Sequence, residues 1–91
     1  MKKSKIIIDE YGNKRWCLND KLHRIDGPAC EYVNGDKCWY LNGKFHRIDG
    51  PAIELSNGDK FWYLNDKKVK AEEVISYNMT EKQYIKFIMS L

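Results

Sequence analysis

A repeat of 23 residues is the feature that most constrains how this chain can fold. Trp16, Trp39 and Trp62 stand 23 residues apart, and a glycine precedes each tryptophan by four residues. The heptapeptide His-Arg-Ile-Asp-Gly-Pro-Ala occurs at 23–29 and again at 46–52. A strict period of this length is typical of repeat proteins, in which each unit is a small supersecondary structure that packs on its neighbours. The sequence therefore predicts a stack of short, similar units.

Each unit contains two sets of turn residues between short apolar stretches. The Asn-Gly pairs at 34–35 and 57–58 predict two-residue type I′ hairpin turns, because both central residues of that turn need a positive φ. The Asn-Gly pair at 42–43 predicts a second reversal within the unit. In that second hairpin Phe45 is expected opposite Tyr40. Each unit is thus expected to be a hairpin with a short extra arm.

These turn types also fix which residues share a face of the sheet. Cys30 is expected opposite Trp39, and Ala29 opposite Tyr40 on the other face, with the same register in the other units. The second turn places His46 opposite Trp39. Because tryptophan recurs in every unit, with leucine two residues beyond it, we expect the tryptophan and leucine face to form the core.

The predicted fold class is mainly β (α+β): an antiparallel β-hairpin repeat meander with a C-terminal helical cap. We expect one domain over 1–91, with the repeats at 5–70 and helices at 71–91. The composition over 71–77 predicts a short helix. Thr80 is expected to begin a second helix, because a glutamine follows it at capping-box spacing. An end repeat has no neighbour to pack on, so a cap is needed there.

Composition and cysteine usage indicate a soluble protein of a reducing compartment. Charged residues make up 32% and apolar residues 43% of the chain, and the net charge of +3 indicates neither a nucleic-acid nor an acidic protein partner. Apolar runs of at most four residues are too short to span a bilayer, so we expect a cytoplasmic location and no membrane partner. Cys17, Cys30 and Cys38 form no Cys-x-x-Cys pair, which favours buried thiols over a metal or disulfide framework.

The repeated His-Arg pairs are the best chemical candidates. His23, Arg24, His46 and Arg47 could lie in a row and clamp a phosphate. Alternatively, each histidine stacks on a tryptophan and each arginine pairs with the aspartate two residues later. The Asp-Gly-Pro that follows is expected to connect the hairpins, with the glycine supplying an unusual φ. No nucleophile and base with an oxyanion loop can be identified, and no metal-ligand spacing, so we expect neither an enzyme nor a cofactor.

Aromatic residues provide the second candidate site. Tyr40, Phe45 and Tyr63 are expected on one sheet face with lysines nearby, where they could bind a protein partner or stack single-stranded nucleic acid. The preferred interpretation is a non-enzymatic protein-binding module that uses this face or an edge strand and that forms an oligomer. The alternative is a binder of single-stranded nucleic acid or nucleotides that uses the His-Arg row and the Lys/Tyr surface.

The segment Trp-Tyr-Leu-Asn-Gly-Lys-Phe-His-Arg-Ile-Asp-Gly-Pro-Ala at 39–52, with looser copies around Trp16 and Trp62, resembles the MORN-like hairpin repeats of bacterial, phage and giant-virus proteins. The resemblance covers about residues 5–70 and implies hairpin units. It also implies a small phage protein that binds and blocks a host or defence protein. The usual MORN unit is richer in glycine and carries Tyr-x-Gly near its start, so lipid binding is not carried over.

Overall fold

The computed structural model describes residues 4–77 and has a mainly antiparallel β fold with a short C-terminal helix. The predicted fold class, a β-hairpin meander with a helical cap, is confirmed. The β-branched and aromatic stretches form strands, and the Asn, Asp and Gly clusters form the turns. In chain order the strands are β1 (Lys5–Ile8), β2 (Lys14–Leu18), β3 (Lys21–Leu22), β4 (Cys30–Glu31), β5 (Lys37–Cys38), β6 (Tyr40–Leu41), β7 (Lys44–Phe45), β8 (Ile53–Glu54), β9 (Lys60–Leu64) and β10 (Lys67–Val69).

Each repeat contributes strands to a main sheet and to a short hairpin beside it. The main sheet has the order β1-β2-β4-β5-β8-β9-β10, with β3 paired to β2, while β6 and β7 pair with each other. The residues before each tryptophan therefore lie in the main sheet. The residues after it turn back as a short hairpin, here called the arm: β2 with β3, β6 with β7, and β9 with β10.

The turn around Asn34 differs from the prediction. Tyr32 N–H donates to the Asp36 carbonyl at 2.9 Å and Gly35 N–H to the Tyr32 carbonyl at 2.9 Å, which closes a three-residue loop. Gly35 has a φ of +100°, whereas Asn34 is not among the residues with positive φ. The Asn34 side chain instead accepts a hydrogen bond from Asp36 N–H at 2.9 Å. The two-residue type I′ turn is therefore wrong, and a turn with a left-handed glycine bulge takes its place.

The longer loop shifts the predicted register by one residue. Cys30 pairs with Cys38 rather than with Trp39. A shift of one residue exchanges the two faces, so Ala29 lies on the tryptophan side. Trp16 N–H donates to the Ala29 carbonyl at 2.8 Å, and the equivalent bond recurs one unit later. The same correction applies to the predicted pairs of the other units, in which Ile7 pairs with Arg15 and Ile53 with Phe61.

The core is small and differs from the expected tryptophan and leucine face. Ala29 and Ala52 are 0% exposed, and Cys30 and Val74 are 2% exposed. The tryptophans and the leucines two residues beyond them are half-buried. A single layer of narrow strands explains this difference, because large rings that lie on it keep one side in contact with solvent. The tryptophan side of the sheet contains the buried Ala29 and Ala52, whereas its tryptophan side chains are only half-buried.

The second turn has the predicted geometry. Tyr40 pairs with Phe45, and His46 N–H donates to the Trp39 carbonyl at 3.1 Å. The turn residues Asn42 and Gly43 have φ of 52° and 78°, as a type I′ turn requires. Positive φ values also occur at the equivalent residues of the other arms: Asn19, Asp20, Asn65 and Asp66.

A helix follows the last strand over 71–77 and is named α1. Val74 is its buried residue, and the ring of Tyr77 meets that of His46 edge-on, with 5.9 Å between centroids. The helix therefore folds back toward the preceding repeat. The second helix predicted from Thr80 lies outside the described residues. Among residues 4–77, no helix has the length and apolar character needed to cross a membrane.

Candidate functional site

The arginine of each His-Arg pair is held between a tryptophan and a glycine. The Cζ atom of Arg47 lies 3.7 Å from the centroid of the Trp39 ring. On its other side is Gly50, where an added Cβ would come within 2.7 Å of Arg47 Cζ. The first unit repeats this arrangement with Trp16, Arg24 and Gly27, at 3.9 Å and 2.9 Å. We call the Trp-Arg-Gly set the clasp.

Neither clasp glycine has the positive φ expected from the sequence. The glycines with positive φ are Gly12, Gly35, Gly43 and Gly58. A Cβ at Gly27 or Gly50 would come within 2.9 or 2.7 Å of the guanidinium carbon, so a larger residue there would require the arginine side chain to move.

Each clasp arginine already has anionic and carbonyl partners. Arg47 Nε donates to Asp49 Oδ1 at 2.8 Å, and its NH1 donates to the Pro51 carbonyl at 3.0 Å and to Glu54 Oε1 at 3.3 Å. Arg24 makes the equivalent contacts at 3.0, 3.1 and 3.6 Å. The predicted pairing of each arginine with the aspartate two residues later is confirmed. A phosphate would have to compete with these partners for the same donors.

A guanidinium lies over each of these two tryptophan rings, where the alternative interpretation expected the histidine ring. His23 Nδ1 accepts the Asn42 N–H at 3.0 Å, and His46 Nδ1 accepts the Asn65 N–H at 3.2 Å. An accepting Nδ1 carries no proton, so each neutral ring is protonated at Nε2. Each histidine thus connects its own repeat to the arm turn of the next one.

An open groove of about 710 Å³ lies between the two clasp loops. Arg24, His46 and Arg47 line it, whereas His23 does not. The carboxylates of Asp26 and Asp49 are 86% and 74% exposed and offset the two guanidinium charges. The described residues that line the groove are therefore close to electrically neutral together, and each arginine among them already has an anionic partner. Its other lining residues are Ile25, Gly27, Trp39, Leu41 and Ile48.

The aromatic residues predicted to bind a partner form a continuous stack, here called the aromatic ladder. The ring centroids of Tyr40 and Phe45 are 4.3 Å apart with 29° between the planes. Those of Phe45 and Tyr63 are 5.1 Å apart with 31° between the planes. Tyr40 and Phe45 are cross-strand partners, and the Arg47 N–H bond to the Tyr63 carbonyl, at 3.3 Å, holds the next arm alongside. All three rings are partly exposed.

The thiols and phenols near the aromatic ladder lie in an apolar environment. Burial, together with nearby Cys38 and Cys30, raises the pKa of Tyr40 to about 12. Burial, with Cys30 and Asp36 nearby, raises the pKa of the Cys38 thiol to about 11. Cys17, Cys30 and Cys38 are free thiols, and Cys30 is buried while the other two are half-buried. Burial raises the pKa of Cys30 and of Cys38, so these two thiols stay protonated at neutral pH. A protonated thiol disfavours nucleophilic chemistry.

Sequence reasoning missed a second set of contacts between repeats. Asp36 Oδ1 accepts the Ser56 N–H at 2.7 Å, and Asn13 Oδ1 accepts the Val33 N–H at 3.0 Å. The bond from Ser56 N–H lowers the pKa of Asp36. The signal was present, because an Asx residue occupies positions 13, 36 and 59 at the repeat period.

Comparison of the chain with models of protein families, with functionally characterised proteins and with solved structures finds no match. The MORN-like resemblance therefore stays a prediction. Residues 4–77 contain no group of three or more His, Cys, Asp and Glu side chains arranged to hold a metal ion.

Replacing Arg47 with lysine should lower the free energy of unfolding by about 1–3 kcal/mol, because lysine loses the planar stack on Trp39 and the forked hydrogen bonds. The matched control is Arg15→Lys, since Arg15 is exposed and belongs to no clasp. Urea unfolding checks this. Two results together would contradict a structural role for Arg47. They are an unchanged urea midpoint for Arg47→Lys and a higher urea midpoint of the wild-type protein in added phosphate.

Alkaline pH should destabilise the fold between about pH 9 and about pH 12. The folded protein raises the pKa of Tyr40 to about 12 and that of Cys38 to about 11, so it favours the protonated groups. The stability from this difference is fully present below the pKa values that the two groups have in the unfolded chain. It is lost as pH rises through the pKa values that they have in the folded protein. Urea midpoints across this range should fall, and should fall less in Tyr40→Phe. An equally steep fall in that variant would contradict a contribution from Tyr40.

Proposed function

We propose that this chain is a non-enzymatic protein-binding module that contacts its partner through the aromatic ladder. The observation that carries the proposal is the continuous stack of Tyr40, Phe45 and Tyr63 on one face, with all three rings partly exposed. Tyrosine and phenylalanine supply much contact area at low conformational entropy cost, which is why such rings anchor protein interfaces. The adjoining arm positions, Leu22 and Cys17, extend the apolar surface.

The geometry of the aromatic ladder favours a protein partner over single-stranded nucleic acid. Bases bind such proteins by stacking on open ring faces. Here Phe45 stacks on Tyr40 at 4.3 Å and has the tilted ring of Tyr63 at 5.1 Å, so part of its ring surface already contacts other rings. Arg24 and Arg47 are held in their clasps and face the groove. The nucleic-acid alternative would therefore depend on exposed lysines in a chain whose net charge is only +3.

The protonation and hydrogen bonding of the cysteine and histidine side chains fit a binding role without catalysis. The Cys38 pKa of about 11 keeps that thiol protonated at neutral pH, and the Nδ1 atoms of His23 and His46 accept backbone hydrogen bonds. Neither group supplies the activated nucleophile and free base that covalent catalysis needs. The MORN-like resemblance extends the proposal to a small phage protein that blocks a host or defence protein in the cytoplasm.

The test is affinity capture with the immobilised full chain from a lysate of its natural host cells, followed by calorimetry with the captured partner. Tyr63→Ser should weaken the partner's affinity about tenfold or more, because it removes one ring of the stack. The matched control is Tyr11→Ser, since Tyr11 is 73% exposed and lies outside the aromatic ladder. Circular dichroism should show both variants folded.

Two results would contradict the proposal. One is equal affinity of the Tyr63→Ser and Tyr11→Ser variants for the captured partner. The other is a capture dominated by nucleic acid that high salt releases, because phosphate contacts weaken steeply as salt rises.

A further inference from the structure

The first strand occupies a position that is covered in the later repeats. By the 23-residue period, β1 is equivalent to β4 and β8. Strand β4 pairs with β2 on one side and β5 on the other, and β8 pairs with β5 and β9, whereas β1 pairs with β2 alone. Ile6 and Ile7 are 50% and 48% exposed, but their equivalents Ala29 and Cys30 are 0% and 2% exposed. Within residues 4–77, no strand therefore lies on the outer side of β1.

The last repeat has the complementary opening. In β2, Lys14 pairs with both Ile8 and Glu31, on opposite sides of the strand. In β9 the equivalent Lys60 pairs with Glu54 on one side. On the other side β10 pairs with β9 from Trp62 onward, and within residues 4–77 no strand pairs with Lys60 or Phe61 there. Helix α1 does not supply it, because Tyr77 packs back against His46.

We propose that a second copy of this chain fills the opening, with its β1 antiparallel to β9 of the first copy. The internal repeats supply the register: Lys14 pairs with Glu31, and Arg15 pairs with Cys30. Shifted by the period, Lys60 faces Ile8 of the second copy and Phe61 faces its Ile7. Trp62 keeps its pairing with Val69 of β10. The contact buries the exposed Ile7 against Phe61.

A carboxylate is already placed for this junction. Asp36 Oδ1 accepts the N–H of Ser56 in the next repeat, while its Oδ2 accepts the Asn34 amide. Asp59 makes the same amide bond through Oδ2, from Asn57 at 3.2 Å, and no described residue donates to its Oδ1. Shifted by the period, the donor to that oxygen is the Glu10 N–H of the second copy.

The contact is heterologous, since the two surfaces that meet are different ends of the same chain. Such contacts add copies head to tail and grow unless the rotation between copies closes a ring. The inference goes beyond the proposed function, because the junction uses β1 with Lys60 and Phe61, whereas the aromatic ladder uses the ring of Tyr63. The two therefore fail separately: Tyr63→Ser tests the ladder, and changes in β1 test the junction.

Light scattering of the full chain over a range of concentrations tests the assembly. The mean mass should rise with concentration for wild-type protein. It should stay that of a monomer for Ile8→Lys, which places a second lysine opposite Lys60. Ile25→Lys is the control, because Ile25 is 86% exposed and lies in a loop. This substitution adds the same charge away from β1 and β9. A wild-type monomer at every concentration, or equal assembly of both variants, overturns the proposal.

Directed cross-linking tests the register. Ile7→Cys and Phe61→Cys are made in separate chains, in a background where each native cysteine carries the residue that another repeat has at that position: Cys17→Tyr, Cys30→Ile and Cys38→Phe. Under a mild thiol oxidant, the mixture of the two chains should form disulfide dimers and neither chain should do so alone. Dimers from the Ile7→Cys chain alone would show symmetric pairing of two β1 strands and overturn the head-to-tail contact.

Discussion

The stacking of one guanidinium on one indole is the contact that connects each of the first two tryptophan-containing repeats to the repeat that follows it. Arg47 covers Trp39 at 3.7 Å, fills the space that Gly50 leaves open, and donates to the Pro51 carbonyl at 3.0 Å. Pro51 immediately precedes the buried Ala52 and the next main strand. The clasp therefore connects the arm of one repeat to the first strand of the following one. A thin sheet with few buried large side chains needs such a contact, because area burial alone stabilises it weakly.

The end of the repeat array follows from the loss of the same contact. The third repeat has Trp62, but Val69 and Lys70 stand where the other repeats have histidine and arginine, and no Gly-Pro follows. Without a guanidinium to hold, residues 71–77 form helix α1 and not a further strand of the main sheet. The Lys70 carbonyl accepts the Glu73 N–H at 3.0 Å, and Val74 becomes buried.

The period predicted the hairpin architecture, the arm turns and the Arg-Asp pairs, because these depend on residues close together in the sequence. The main-sheet register was not predictable, since Asn34-Gly35 fits both a two-residue turn and a three-residue loop. The Asn34 side chain decides between them by accepting the Asp36 N–H. The clasp was also missed. That arginine rather than histidine covers the tryptophan, and that Gly50 provides space rather than a positive φ, depends on contacts formed only in the folded chain.

The most direct measurement of the clasp is nuclear magnetic resonance of the arginine side-chain Nε–H groups. For Arg47 the structure predicts a signal shifted upfield by the Trp39 ring and protected from exchange with water by its bond to Asp49. The signal of exposed Arg15 provides the reference within the same molecule. An Arg47 signal with the shift and exchange rate of Arg15 would contradict the account, because it would place the guanidinium in solvent.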